Sequence, residues 1–400
     1  TPLFGVDGLT VSAAVSVVPP GGGNPTGTVT FYDGTTALGT TDLISGAASL
    51  ALGPTALAAG PHTIRAVYGG DDNFLGSDST TSVNVLAPSA IQGLAYVDFN
   101  NDGQVDFGER AVAGVTVMLT GTDDLGHAVS RVVQTDADGV YAFVNLRPSN
   151  VAGYTVTETQ PAGLPDGRDT PGTVNGVPTG TAAINDTFAG VVLAQGGSFA
   201  ENYNFGERPA ATGGVTHGLT ATIGYWQNCN GQRLITALNG GATATQLGHW
   251  LAVTFPNMYA ALDGKTNAEV AAFYKGLFAR TAHTAPGGPP KVDAQVMATA
   301  LAVYVTNQSL AGTTAAAYGF HVSATGLGMR TVNVGCKGAA FGVANNSTVS
   351  VMDLLLAVSA RAHNGLLYDL NGNGRIDGAE AGDRTMANDV FTAINEAGDI

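Results

Sequence analysis

Apolar and polar residues alternate with a period of two through the first half of the chain and with a period near 3.6 through the second. Leu9, Val11, Ala13, Val15 and Val17 alternate with polar or small residues and predict a half-buried strand. Pro19-Pro20-Gly21-Gly22-Gly23 interrupts the pattern, Val29 and Phe31 resume it, and Asp33-Gly34 reads as a hairpin turn. Ile64, Ala66 and Tyr68 line one face of a later strand, Val83 and Val85 one face of the last. Residues 1–88 are therefore expected to form a β-sandwich. After a short linker, Ala87-Pro88-Ser89-Ala90, the period of two returns. Strands are expected around Ile91 to Val97, Gly114 to Leu119, Val140 to Phe143 and Tyr154 to Glu158, in a second sandwich spanning 91–208.

From residue 215 onward the pattern is helical. Gln246, Leu247, Trp250, Leu251 and Phe255 share one stripe. Thr266-Asn267-Ala268-Glu269 is a capping box ahead of Val270, Phe273, Tyr274, Leu277 and Phe278. A Pro/Gly loop, Ala285 to Pro290, precedes a third stripe of Val292, Val296, Met297, Ala300, Leu301, Tyr304 and Val305. A fourth helix is expected over Val349 to Ala362, with Ser350 as its cap and Asn364-Gly365 as its stop. Met386, Val390, Phe391 and Ile394 mark a fifth. The fold class is multidomain: two all-β sandwiches (1–88 and 91–208), then a mainly α-helical domain (215–400).

Two twelve-residue stretches carry candidate chemistry. Ca2+ is a hard cation that takes six to eight oxygens, and a twelve-residue loop supplies them from positions 1, 3, 5, 7, 9 and 12 with Gly at position 6. The first stretch places Asp98, Asn100, Asp102, Gln104 (by its backbone carbonyl), Asp106 and Glu109 at those positions, with Gly103 at the turn. The second, residues 369–380, places Asp369, Asn371, Asn373, Arg375 (backbone), Asp377 and Glu380 there, with Gly374 at the turn. Val105 and Ile376, at position 8, are expected to anchor the loops to their neighbours. The competing reading is a solvated turn rich in Asn, Asp and Gly; the complete donor set argues against it. With helices on both sides, the second stretch would be an EF-hand.

The net charge of -15, with Lys+Arg only 16, argues against nucleic acid and anionic membrane surfaces as partners and suits divalent cations. No apolar run is long enough to span a bilayer. The chain starts at Thr1 without Met or signal peptide, so a mature, cut or partial chain is expected. Two cysteines, Cys229 and Cys336, allow one disulfide or two free thiols, and an extracellular setting would favour the bridge.

Gly27-Thr28-Val29-Thr30-Phe31-Tyr32-Asp33-Gly34 and Gly60 to Tyr68 resemble the bacterial immunoglobulin-like repeats of large surface proteins. The resemblance implies a spacer or adhesive unit. The first loop, Thr135-Asp136-Ala137-Asp138-Gly139 with the strand after it, and Asn202-Tyr203-Asn204-Phe205-Gly206-Glu207 resemble the B domains of serine-aspartate-repeat surface proteins. That resemblance implies a calcium-stiffened stalk sandwich. It also makes Asp136 and Asp138 candidates for a third Ca2+, against the preferred reading of an Asp-Gly turn. Some relatives carry a Lys–Asn isopeptide crosslink, but no lysine precedes Lys265, so neither sandwich can form one. Residues 369–380 resemble a dockerin half-repeat, and the region around them a C-terminal part of large bacterial surface proteins.

Enzymatic motifs are absent. His62, His127, His217, His249, His283, His321 and His363 show no metal spacing, and no nucleophile elbow or phosphate loop occurs. Gly224-Tyr225-Trp226-Gln227-Asn228 could stack on a sugar, but a core anchor is the preferred reading. The expectation is a calcium-stabilised extracellular structural segment of a bacterial surface fibre, stalk or adhesin. Its partners would be calcium and copies of itself or other surface proteins. The alternative is a glycan- or protein-binding helical domain displayed on β spacers.

Overall fold

The computed structural model describes residues 1–279 and 291–400; the Ala285 to Pro290 stretch and His283 lie outside them. Two compact units are present. The first comprises residues 1–95, 111–160 and 169–205, the second 96–110, 161–168 and 206–400.

In the first unit, Val29, Phe31, Ile64 and Tyr68 turn inward as their alternation demands. They lie on a four-stranded antiparallel sheet with the order Thr36–Asp42, Thr28–Asp33, Gly60–Tyr68, Ser77–Val85. A two-stranded sheet, Leu9–Ala14 against Ala47–Leu52, adds Val11, Ala48 and Leu52 to the same core. The first strand ends at Ala14, short of the expected Val15 and Val17. Gly34, at the hairpin between Asp33 and Thr36, has φ +57°, the left-handed conformation that glycine adopts without strain.

A second pair of sheets follows. Ser89–Val97 lies in a seven-stranded sheet, and the five-stranded sheet runs Ala128–Gln134, Thr116–Thr122, Tyr154–Glu158, Thr187–Val191, Thr181–Ile184. Ile91, Val117, Leu119, Tyr141, Phe143, Val156 and Phe188 fill the layer between them. Gly93 is required there: a Cβ at that position would fall 1.7 Å from the Tyr203 carbonyl oxygen, which also accepts from Tyr141 Oη at 2.7 Å. Arg147 joins the two sandwiches of this unit. Its Nη1 meets Asp7 Oδ2 at 2.9 Å, its Nη2 donates to the Thr1 carbonyl at 3.0 Å, and its Nε donates to Asp124 Oδ1 at 2.8 Å.

The second unit contains, among the described residues, α1 (Ile223–Gln227), α2 (Cys229–Ala237), α3 (Gln246–Thr254), α4 (Pro256–Tyr259), α5 (Asn267–Ala279), α6 (Val292–Thr306), α7 (Gln308–Ala311), α8 (Val351–Ser359) and α9 (Gly378–Ala397). The five expected stripes appear as α3, α5, α6, α8 and α9. The Thr266–Glu269 capping box and the Ser350 cap are both formed. The single-turn α1, α4 and α7 carry too few turns to show a stripe, and α2, as long as α3 and α8, was not anticipated. Every residue of α6 is buried, so it is the core of the unit. Its polar residues are matched from α9. Asn395 Nδ2 donates to Gln295 Oε1 at 2.8 Å, Thr299 Oγ1 donates to Asn395 Oδ1 at 2.9 Å, and Arg384 Nη2 reaches Asp293 Oδ2 at 3.3 Å. Buried polar groups left unmatched would cost about 1–3 kcal/mol each.

Three expectations are corrected. The fourth helix ends at Ser359, and Asn364-Gly365 forms the turn of a small hairpin, Ala362–His363 against Leu366–Leu367. The helix expected to enter the second loop is thus replaced by a hairpin, because the Asn-Gly pair favours a tight turn. Cys229 and Cys336 are free and exposed, at the start of α2 and in a 3-10 turn (Gly335–Phe341), and no bridge joins them.

Arg147→Ala should lower the stability of the first unit by about 2 kcal/mol, because three acceptors lose a largely buried charged donor. A shift in the denaturant midpoint of the β-sheet circular dichroism signal measures it. An unchanged midpoint would show that the clamp contributes nothing.

Candidate metal-binding loops

Both twelve-residue stretches lie in the second unit and share most of their hydrogen bonds, except that Asn100 Nδ2 also donates to Asp102 and Asp106 Oδ2 in the first and Asp377 Oδ1 accepts from the Ala379 and Glu380 amides in the second. Asp98 Oδ2 accepts from the Gly103 amide at 2.8 Å, and Asp369 Oδ2 from the Gly374 amide at 2.9 Å. Asn100 Oδ1 accepts from the Asp102 amide at 3.1 Å, Asn371 Oδ1 from the Asn373 amide at 3.0 Å. Asp102 Oδ1 takes the Gln104 amide and Asn373 Oδ1 the Arg375 amide, each at 2.8 Å. Glu109 closes its loop with Oε1 on the Phe99 amide and Oε2 on the Asp106 amide, both 2.9 Å. Glu380 repeats this with Leu370 at 2.9 Å and Asp377 at 2.7 Å. Gly103 and Gly374 have φ +79° and +74°, which is why the sixth position must lack a Cβ.

The flanks differ. Residues 98–109 run from the strand Ser89–Val97 into the two-residue strand Arg110–Ala111. In residues 369–380, Asp377 is also the N-cap of α9 and completes a capping box with Glu380. The side chains of Gln104 and Arg375 are exposed, as expected of positions that offer only a carbonyl. Val105 is 51% exposed and anchors nothing, contrary to expectation. The buried neighbour that holds the first loop is Phe99.

The electrostatics of the first loop are adverse. Asp98 is fully buried, and Asp106 and Glu109 are half-buried. Burial pushes all three carboxyls above the usual range. Asp102 adds to this at Asp98 and Asp106, and Asp98 adds to it at Glu109. The neighbouring Tyr96 is buried too, and among the described residues its hydroxyl finds no hydrogen-bond partner. All-oxygen donors, clustered charge and an orphaned buried hydroxyl fit a hard divalent cation.

Asp136 and Asp138 form a tight turn. Asp136 Oδ1 accepts from the Asp138 and Val140 amides, both 2.9 Å, and both residues are exposed. Trp226 is fully buried, with Tyr225 and Phe320 ring centroids 5.5 and 5.6 Å away, so it is a core side chain with no open face for a sugar. Sequence reasoning missed an acidic group in the first unit. Asp186 carries carboxylate oxygens within 4.8 Å of those of both Glu158 and Asp169, and its amide donates to Asp169 Oδ2 at 2.8 Å. Register brings it about: Thr157 pairs with Thr187 and Val156 with Phe188, so Glu158 comes opposite Asp186. No local spacing could announce this.

The class of protein is therefore a multi-module chain of β-sandwiches followed by a mostly helical part. Residues 4–86 match the family model of the bacterial Ig-like domain (group 3), and residues 90–206 that of the SdrD B-like domain. Solved structures that align include the plantain pollen allergen Pla l 1 (16% identity, TM-score 0.22, 32% of this chain and 98% of that chain). Others are the major pilin subunit BcpA of Bacillus cereus (10%, 0.24, 52% and 66%) and the shaft pilin SpaA of Lactobacillus rhamnosus GG (11%, 0.18, 51% and 98%). No curated protein matches the chain.

A pH dependence follows from the raised carboxyls. They hold protons in the folded state that the unfolded chain has already released, so their contribution to stability is lost as pH rises above the ordinary carboxylate range. In chelator, the α-helical signal at 222 nm should therefore melt at lower temperature at pH 8 than at pH 5. Glu109→Gln should flatten that slope. An equal slope in both proteins would show that these carboxyls do not control it.

Proposed function

We propose that the chain is a calcium-stabilised structural segment of a bacterial surface fibre, stalk or adhesin, exposed outside the cell. The matched Ig-like and B-like domains suggest a bacterial surface protein of structural or adhesin-like type and are typically non-enzymatic. Among the described residues no helix is long and apolar enough to cross a membrane. One observation carries the calcium part of the reading. Two loops far apart in the sequence share a set of backbone-to-side-chain hydrogen bonds in which the first, third, fifth and twelfth residues accept amides of the loop itself.

Asp98, Asn100, Asp102, Asp106 and Glu109, with the Gln104 carbonyl, would hold one ion. Asp369, Asn371, Asn373, Asp377 and Glu380, with the Arg375 carbonyl, would hold the other. Bound Ca2+ would supply the positive charge that offsets the four carboxylates of the first loop and the three of the second. The second loop is half of an EF-hand, with α9 as its exiting helix and a hairpin in place of the entering one.

Equilibrium dialysis against Ca2+ should give two ions per chain, and one in either Asp98→Asn or Asp369→Asn. At free calcium of 100 times the dissociation constant each site would add about 2.7 kcal/mol. Chelation should also alter the sedimentation coefficient. Finding no bound ion, with melting and sedimentation indifferent to chelator, would defeat the reading.

A further inference from the structure

The first loop is covalently part of the B-like stretch, yet it packs within the unit that holds the helices. Gly108, at φ +92°, is so close to α7 that a Cβ there would lie 2.2 Å from Leu310 Cδ2. Asn100, Asp106 and Glu109 face Trp250, Thr254 and Leu310 across a cavity of only about 10 Å³. That is about the least space a single water needs. Three loop positions assigned to the ion therefore line the same contact as an indole that is only 4% exposed.

The contact leads inward. The Trp250 ring lies 5.1 Å from that of Tyr304 on α6 and 5.4 Å from that of Phe255. Tyr304 Oη donates to Asn239 Oδ1 at 2.8 Å, and Asn239 Nδ2 donates to the Leu310 carbonyl at 2.8 Å. A side-chain ring thus runs from the loop through α3 and α7 to the fully buried α6. A loop that opens under its own charge must pull away from Leu310 and Trp250. A loop closed by a cation keeps them covered.

We infer that the first loop is an ion-dependent latch on the helical part: a divalent cation at residues 98–109 stabilises the packing of α3, α6 and α7 around Trp250. The inference rests on the reading of this loop as a calcium site and adds where the binding energy goes. Linkage requires it to appear as extra stability of whatever packs only against the closed loop.

The test uses full-length Asp369→Asn, in which the first loop alone can load. Calcium is titrated while bound ions are counted by dialysis. Tryptophan emission is compared with that of Asp369→Asn/Trp250→Phe, and melting is followed at 222 nm. The expected result is one bound ion, an emission change that saturates with it and disappears without Trp250, and a melting midpoint raised by roughly 5–10 °C at 100-fold excess over the dissociation constant. The reciprocal variant Asp98→Asn, which keeps the second loop, should bind one ion and leave Trp250 silent. It serves equally if Asp369→Asn fails to fold, since wild type minus Asp98→Asn isolates the same signal. One ion bound at the first loop with either response missing overturns the latch and leaves the calcium reading standing. No ion bound there at all overturns both.

Discussion

The first loop concentrates four carboxylates in twelve residues, and burial raises the proton affinity of three of them. At an effective dielectric near 20, two like charges about 4 Å apart repel by about 4 kcal/mol. Backbone amides of Phe99, Gly103, Gln104 and Asp106 point at the carboxylate oxygens and offset part of this. They bring only partial charges, and burial, with a smaller contribution from neighbouring carboxylates, still raises the affinity of Asp98 and Glu109 for protons. A cation with oxygen preference, if bound, would offset the charge of several carboxylates at once, as a proton cannot.

The second loop solves a milder version of the same problem. It has three carboxylates among its six ligand positions where the first has four, and Asp377 and Glu380 also cap α9. The helix N-terminus favours negative charge there. Through Arg384 and Asn395, α9 is tied to α6, the same helix that carries Tyr304 toward the first loop. The two twelve-residue loops thus bear on one buried helix, whose own polar groups have been matched so that it can be enclosed on all sides. The first unit shows a different economy. Its two sandwiches rely on apolar layers, a backbone approach at Gly93 that excludes any side chain, and one arginine shared among three acceptors.

Period-two and period-3.6 patterns were enough to place the sandwiches and the five long helices. A strand or helix that buries one face must write that face into its own residues. The twelve-residue loops were legible for a similar reason. Their hydrogen bonds join residues no more than ten positions apart, so ligand spacing and the glycine at position 6 carry the geometry. Short helices such as α4 and α7 left no such trace, because a single turn shows no period. Val105 misled because position 8 is apolar, yet in this chain it faces solvent while Phe99 fills the buried place.

The residues alone therefore determined the class of each module, the hydrogen-bonded form of the two twelve-residue loops and the caps, all of which are local and periodic. Only the tertiary structure decided that the loop of residues 98–109 packs with the helices, that a hairpin precedes residues 369–380, that Cys229 and Cys336 stay apart, and that Glu158 faces Asp186. Each of these depends on which distant surfaces meet. That choice is made by shape and buried area summed over many residues, and no short stretch of sequence holds it.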